Sequence, residues 1–230
     1  MTETLIYTRC LLALSRIDAD LLKAKAVVYH VFSLLLQKPQ GRVGHLAVKW
    51  APKALSSAAS FFSQDSNVNT SLKVLGEELS RVSTRELRKQ YEAVLEEACI
   101  PRLSIYAPSR REFTAGIREI KELMTTWGLQ AMSGYRGRLD HLALLFDFAG
   151  FLLSEAANYL KMGRKADARK ALRDYAKLME FISETAFRFG ECLSASAKGV
   201  YSRFADVMTA FINYEVKKSS LKKASPQRSG

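Results

Sequence analysis

The residues of this chain whose types could carry chemistry lie in two short stretches, Ile100-Pro101-Arg102-Leu103-Ser104-Ile105-Tyr106 and Arg138-Leu139-Asp140-His141-Leu142. They offer a carboxylate, an imidazole and hydroxyls, the groups from which a nucleophile and its base are drawn. Their spacing argues against that use. On a helix, neighbours such as Asp140 and His141 point about 100° apart, which disfavours a mutual catalytic hydrogen bond. The only other histidines are His30 and His45, and there is no HExxH, P-loop or GxGxxG pattern. The chain therefore points toward a protein that holds other proteins and away from an enzyme.

Cys10, Cys99 and Cys192 are odd in number and far apart, with neither a CxxC nor a histidine pair to complete a zinc site. They are expected to be thiols in a reducing compartment, and no metal or cofactor is expected. The N-terminus, with Glu3 and Arg9 around a short apolar patch, lacks the basic start and long apolar stretch of a secretory signal. No uninterrupted apolar run reaches the roughly 18 residues that span a bilayer. These features predict a cytoplasmic protein that does not span a membrane.

A formal charge of +12 suits nucleic acid, an anionic membrane surface or an acidic protein partner, and does not choose among them. Carboxylate neighbours such as Glu77-Glu78 and Glu96-Glu97 read as solvated helix faces, because charged residues are rarely buried without a partner. The basic series Arg164, Lys165, Arg169, Lys170 and Arg173 has helical spacing that can follow phosphates, yet a solvated face explains it as well.

The elements that must position these residues are helical. Apolar spacing at three and four residues dominates and no period-two alternation is sustained, so the fold class is all-α, a single-domain bundle of about seven to nine helices. The first helix is expected over 18–37, with Leu22, Ala26, Tyr29, Phe32 and Leu36 in one stripe. A second covers 44–62, with Pro52 at a start or a kink. Residues 63–71 read as a turn, and Leu72, Leu75 and Leu79 as a short helix. Ser83 or Thr84 caps a helix carrying Leu87, Tyr91, Val94, Leu95 and Ala98. Two prolines make 99–108 an ordered or hinge-like loop.

Helix resumes at Ser109 or Arg110 with Phe113, Ile117, Ile120 and Met124, and a loop with Gly134 and Gly137 follows Gly128. The most apolar helix covers 139–162, and its all-round apolar surface predicts a place in the middle of the bundle. Two amphipathic helices, 165–189 and 195–216, complete the domain, residues 1–216. Residues 217–230, with Lys217, Lys218, Lys222, Lys223 and Arg228 and no acid, are expected to form a disordered basic tail.

At Asp140-His141 these residues resemble the TorD/DmsD/NarJ family of redox-enzyme maturation chaperones, all-helical proteins of about this length. The family has Pro-Asp-His followed by an apolar, acid-containing helix near its centre. Here Leu139 replaces the proline, and Asp140, His141, Leu142 and then Asp147-Phe148 follow the pattern. Upstream, Tyr91, Pro101, Ser104 and Tyr106 match the family's helix-borne tyrosine and its proline loop ending in Ser-x-Tyr. Tyr29 to Leu36 with Lys38-Pro39, and Tyr201, Phe204 and Phe211, are similar to the opening and closing helices. The agreement in order covers most of residues 18–215. Residues 96–104 lack the glycine-rich and proline-rich loop, with its aromatic residue, that many members carry.

The resemblance implies a chaperone, not an enzyme, that binds the N-terminal, often twin-arginine, signal region of a molybdoenzyme catalytic subunit and holds the subunit until cofactor insertion and assembly. Such a signal joins a basic to an apolar stretch, so its receptor needs carboxylates beside an apolar groove. Asp140 and Asp147 would supply charge, Tyr106, Leu142 and Phe146 the groove, and Tyr91, Pro101, Ser104 and His141 the rest of the site. A net +12 protein must then present a locally acidic site to such a peptide. Family members also form dimers, some by exchanging helices. The bland roles compete: Asp140 as a helix cap, Leu142 and Phe146 as core. The alternative function is a basic helical nucleic-acid-binding or regulatory protein, whereas the chaperone reading expects no nucleic acid.

Overall fold

The computed structural model describes residues 18–129 and 139–223, and its architecture is all-α. In chain order the helices are α1 (Ala19–Leu35), α2 (Gly41–Lys49), α3 (Ala51–Ala59), α4 (Ser66–Arg81), α5 (Thr84–Tyr91), the single turn α6 (Leu103–Tyr106), α7 (Arg110–Thr126), α8 (Leu142–Lys161), α9 (Lys165–Ser196) and α10 (Val200–Lys223). Among the described residues the only β pairing is one antiparallel bridge, Arg102 with His141.

Local chemistry sets the helix starts. Asp18 accepts the Asp20 amide, Asp65 the Val68 amide, Ser83 the Glu86 amide and Ser109 the Glu112 amide, each satisfying a donor that the first turn leaves open. The expected turn at 63–71 is thus largely helix, because Asp65 caps α4 seven residues before Leu72. Pro52 falls in the first turn of α3 and splits the expected 44–62 helix in two. Gly163, at φ +73°, ends α8 and lets the chain turn directly into α9. The last helix runs on to Lys223, beyond the expected end at 216, and residues 224–230 lie outside the described part. So do the N-terminal patch and the glycine loop at 130–138.

The core forms around α1 and α8, which lie against each other and are covered by α9, α10 and the α3–α4 pair. Gly150 permits the approach: a Cβ there would meet the His30 ring at 2.8 Å. Tyr29 and Phe32 of α1 pack against Phe146 of α8 and Phe211 of α10 with ring centroids 5.2–5.8 Å apart, mostly edge to face. A buried polar chain ties three helices within this apolar centre. Lys25 pairs with Glu215 at 2.8 Å, Tyr175 donates to Glu215 at 2.7 Å, and the Tyr29 and Tyr175 hydroxyls lie 2.9 Å apart. Burial, with the Glu215 charge beside them, pushes both phenols well above their usual range, so both stay protonated.

α8 does have the length and hydropathy of a bilayer span, because its charges are few. Most of it is buried, and that burial accounts for the composition.

Candidate functional site: a clasp between the proline loop and the start of α8

The structure joins the two stretches that stand out in the sequence. Beside the bridge between Arg102 and His141, the Leu103 amide donates to the Asp140 carbonyl at 2.9 Å and the Leu142 amide to the Pro101 carbonyl at 2.9 Å. The Ser104 hydroxyl donates to the Asp140 carboxylate, which is 8% exposed. The loop expected at 99–108 is therefore pinned, and it contains the short helix α6.

Asp140 is not the cap of α8. That position falls to His141, whose Nδ1 accepts the Ala143 amide at 3.2 Å, while Asp140 sits one residue earlier and turns toward Ser104. An acceptor Nδ1 requires the neutral ring protonated at Nε2. The environment favours that form: burial lowers the His141 pKa, the Asp140 charge opposes it and Arg102 adds to the lowering.

Cys99, at the head of the loop, is fully buried and forms a disulfide with Cys192 on α9. This corrects the expectation of free thiols for these two cysteines; Cys10 lies outside the described residues. Their separation of 93 residues gave no hint of the pairing, since only the fold brings the loop onto α9.

Other predicted site residues divide between core and surface. Leu142 and Phe146 are completely buried, Phe146 among Tyr29 and Phe32, so they build the core and cannot line a groove for another chain. Tyr91 is buried with its ring 6.2 Å from Tyr201. Pro101 is buried and serves the clasp through its carbonyl. Tyr106 is half-buried, edge-on to Phe189 at 5.6 Å, and burial raises its phenol pKa. Asp147 is exposed and held 2.8 Å from His30 Nδ1, on the seam between α8 and α1.

Beside the clasp runs an open groove along α7. One depression of about 490 Å³ is lined by Ser104, Ala107, Phe113 and Asp140, and a second of about 740 Å³ by Arg111, Ala115, Arg118 and Lys121. Arg110, Thr114, Ile117 and Leu139 line both, making them continuous. Of the residues singled out from the sequence, Ser104 and Asp140 line this groove. Its cations were missed, although their spacing was a usable signal. At 100° per residue, Arg110, Arg111, Arg118 and Lys121 fall within one arc of about 100°, next to the apolar stripe. On the other side, Glu119, Glu122 and Glu180 surround a depression of about 590 Å³ between α7 and α9 that also contains Lys177.

No group of three or more His, Cys, Asp or Glu suited to a metal occurs among the described residues. The arrangement can hold a ligand by shape, apolar contact and charge. An all-helical bundle with a proline loop clasped onto the start of its central helix, beside an open groove, has the form of a binding protein. The family model for the nitrate reductase delta subunit matches residues 63–186, more than half of the chain, and the chain belongs to that family. It is a family of molybdoenzyme assembly chaperones acting in redox-enzyme maturation. The matched segment includes the loop, α7 and the Asp140-His141 start of α8. No curated protein and no solved structure matches the chain.

Proposed function

We propose that this protein is a cytoplasmic, client-specific chaperone that holds the N-terminal signal region of a molybdoenzyme catalytic subunit until cofactor insertion and assembly are complete. The observation that supports this reading is the clasp itself. Ser104 and Asp140, joined across the loop and the start of α8, border a groove open to solvent within the segment that carries the family match. Such a surface holds a peptide while leaving the rest of the client free to fold, and no catalytic step is required of it. A disulfide is uncommon in reducing cytoplasm. In this one the Cys99 side is completely buried, so a reductant's approach is confined to the partly buried Cys192 sulfur.

The test uses the full chain as bait in native cytoplasm, with mass spectrometry as the readout. The expected catch is a molybdoenzyme catalytic subunit, lost when that subunit's N-terminal segment is deleted. Asp140→Ala and Tyr106→Ala, each checked for retained helical signal, are expected to weaken the capture. Recovery of nucleic acid instead, released at high salt, would overturn the chaperone reading.

A further inference from the structure

The groove along α7 has a charge that the family resemblance does not lead one to expect. Arg110, Arg111, Arg118 and Lys121 line it or its rim, and between Arg110 and Lys121 they span about 16 Å of helix. Elsewhere, Arg81, Arg88, Arg164 and Arg188 each meet an acid three or four residues away along the chain. Among the described residues none of the four groove cations is in an ion pair. Their floor is apolar, with Ile117 and Leu139 half-buried at its centre. The nearest carboxylate lining the groove is Asp140, which is 8% exposed and already accepts from Ser104.

We propose that this groove docks a segment of the molybdoenzyme catalytic subunit that joins apolar residues to carboxylates, and that any arginines of the client's signal lie outside it. The inference rests on the chaperone reading above and specifies the chemistry of the segment held. Apolar side chains of the segment fill the floor over Ile117 and Leu139, and its acids reach the cations along the rim. A basic segment laid in the same place would face four like charges, and that repulsion selects against it. A polyanion such as nucleic acid suits the rim but not the floor. The lining offers a base a single aromatic ring, Phe113, and one face of it is already stacked on Phe181 with centroids 6.0 Å apart. The chain's own segments outside the described residues fit poorly by charge. Residues 130–138 carry Arg136 and Arg138 and no acid, and residues 1–17 carry Glu3 against Arg9 and Arg16.

The experiment tiles synthetic peptides across the catalytic subunit captured by the full chain and measures their binding to wild type and to the variant R110E/R111E/R118E/K121E. All four positions are exposed, so the variant is expected to fold, and circular dichroism checks this. The best-binding peptide is expected to carry acids beside its apolar residues and to weaken as salt rises. In the variant its affinity should fall about tenfold or more, the combined effect of four exposed charge contacts each worth a factor of a few. A folded single variant, Lys121→Glu, should show a smaller loss in the same direction. If the subunit is captured but its best peptide is net basic, or binds the variant as well as wild type, the inference fails while the chaperone reading stands. If wild type alone self-associates and the variant is monomeric with client binding unchanged, the groove is an interface between copies and the inference fails. If no molybdoenzyme subunit is captured at all, both fail together.

Discussion

α8 and α7 follow each other in the chain, have similar lengths and meet opposite fates. Of the 20 residues of α8, eleven are buried, whereas of the 17 in α7 only Ile120 and Met124 are. α8 therefore gains its stability from the core, where more than half of its side chains are already committed. α7 is held by a thin seam: Phe113 stacked on Phe181, the two buried residues, and Trp127 just past its end. The Trp127 indole donates to Asp174 at 2.9 Å and lies 4.1 Å from the Lys170 ammonium. A core helix has less surface to give, while a rim helix keeps an apolar edge and a charged arc open to solvent. The groove proposed above for the client therefore runs along α7, and the start of α8 supplies the clasp at one end of it.

The sharpest way to break this contrast is to truncate one residue on each helix. Phe146→Ala in α8 removes a fully buried ring from the Tyr29 and Phe32 cluster and is expected to cost about 3–5 kcal/mol in urea unfolding. Truncation of an exposed α7 cation should stay within about 0.5 kcal/mol. A Phe146→Ala loss below about 1 kcal/mol would mean that α8 is not the packed centre. A smaller effect probes the seam under α7. A Cβ on Gly116 would lie 2.3 Å from the Phe181 ring, so Gly116→Ala must displace the ring or lift the helix. The expected loss is about 1–3 kcal/mol, offset in part by the better helix propensity of alanine. A neutral Gly116→Ala would show that α7 does not rest closely on α9, and the groove geometry would need revision.

The same contrast explains what was legible in the sequence. The all-α class, the central place of α8 and the stripe Leu22, Ala26, Tyr29, Phe32 and Leu36 follow from apolar periodicity, and the structure has them as expected. Periodicity speaks about which face is buried and is silent about which residues meet across the fold. The chain marks Ser104 and Asp140 as unusual, but their hydrogen bond and the Cys99–Cys192 disulfide depend on tertiary contacts at separations of 36 and 93 residues. The family resemblance implies a groove role for Leu142 and Phe146, with a core role competing, and both are completely buried. The 3.6-residue period already placed them on the buried side of α8, and in this case the local pattern was the better guide. The α7 cations erred the other way. Their spacing was visible, but a charged arc acquires meaning only when a loop and Leu139 wall it into a groove.

The subtlest separation of clasp from core is a pH dependence. His141 caps α8 through a neutral Nδ1, and burial holds its folded pKa below the ordinary 6.5, with Arg102 assisting and Asp140 opposing. In the unfolded chain the ring takes up its proton near 6.5, so as pH falls the unfolded state binds that proton first. The contribution of His141 to stability is complete above 6.5 and is lost as pH drops from there toward the lower folded value. Protonation also removes the acceptor that the Ala143 amide needs, so the loss should appear first as fraying at the start of α8. In urea unfolding between about pH 7 and pH 5, wild type should lose stability more steeply than His141→Asn, whose amide oxygen caps without titrating. The two should be close at the upper end of that range. Amide exchange at Ala143 should quicken on acidification, relative to the intrinsic rate, in wild type and not in the variant. Parallel slopes for the two proteins would move the acid sensitivity elsewhere and leave the clasp with a geometric role alone.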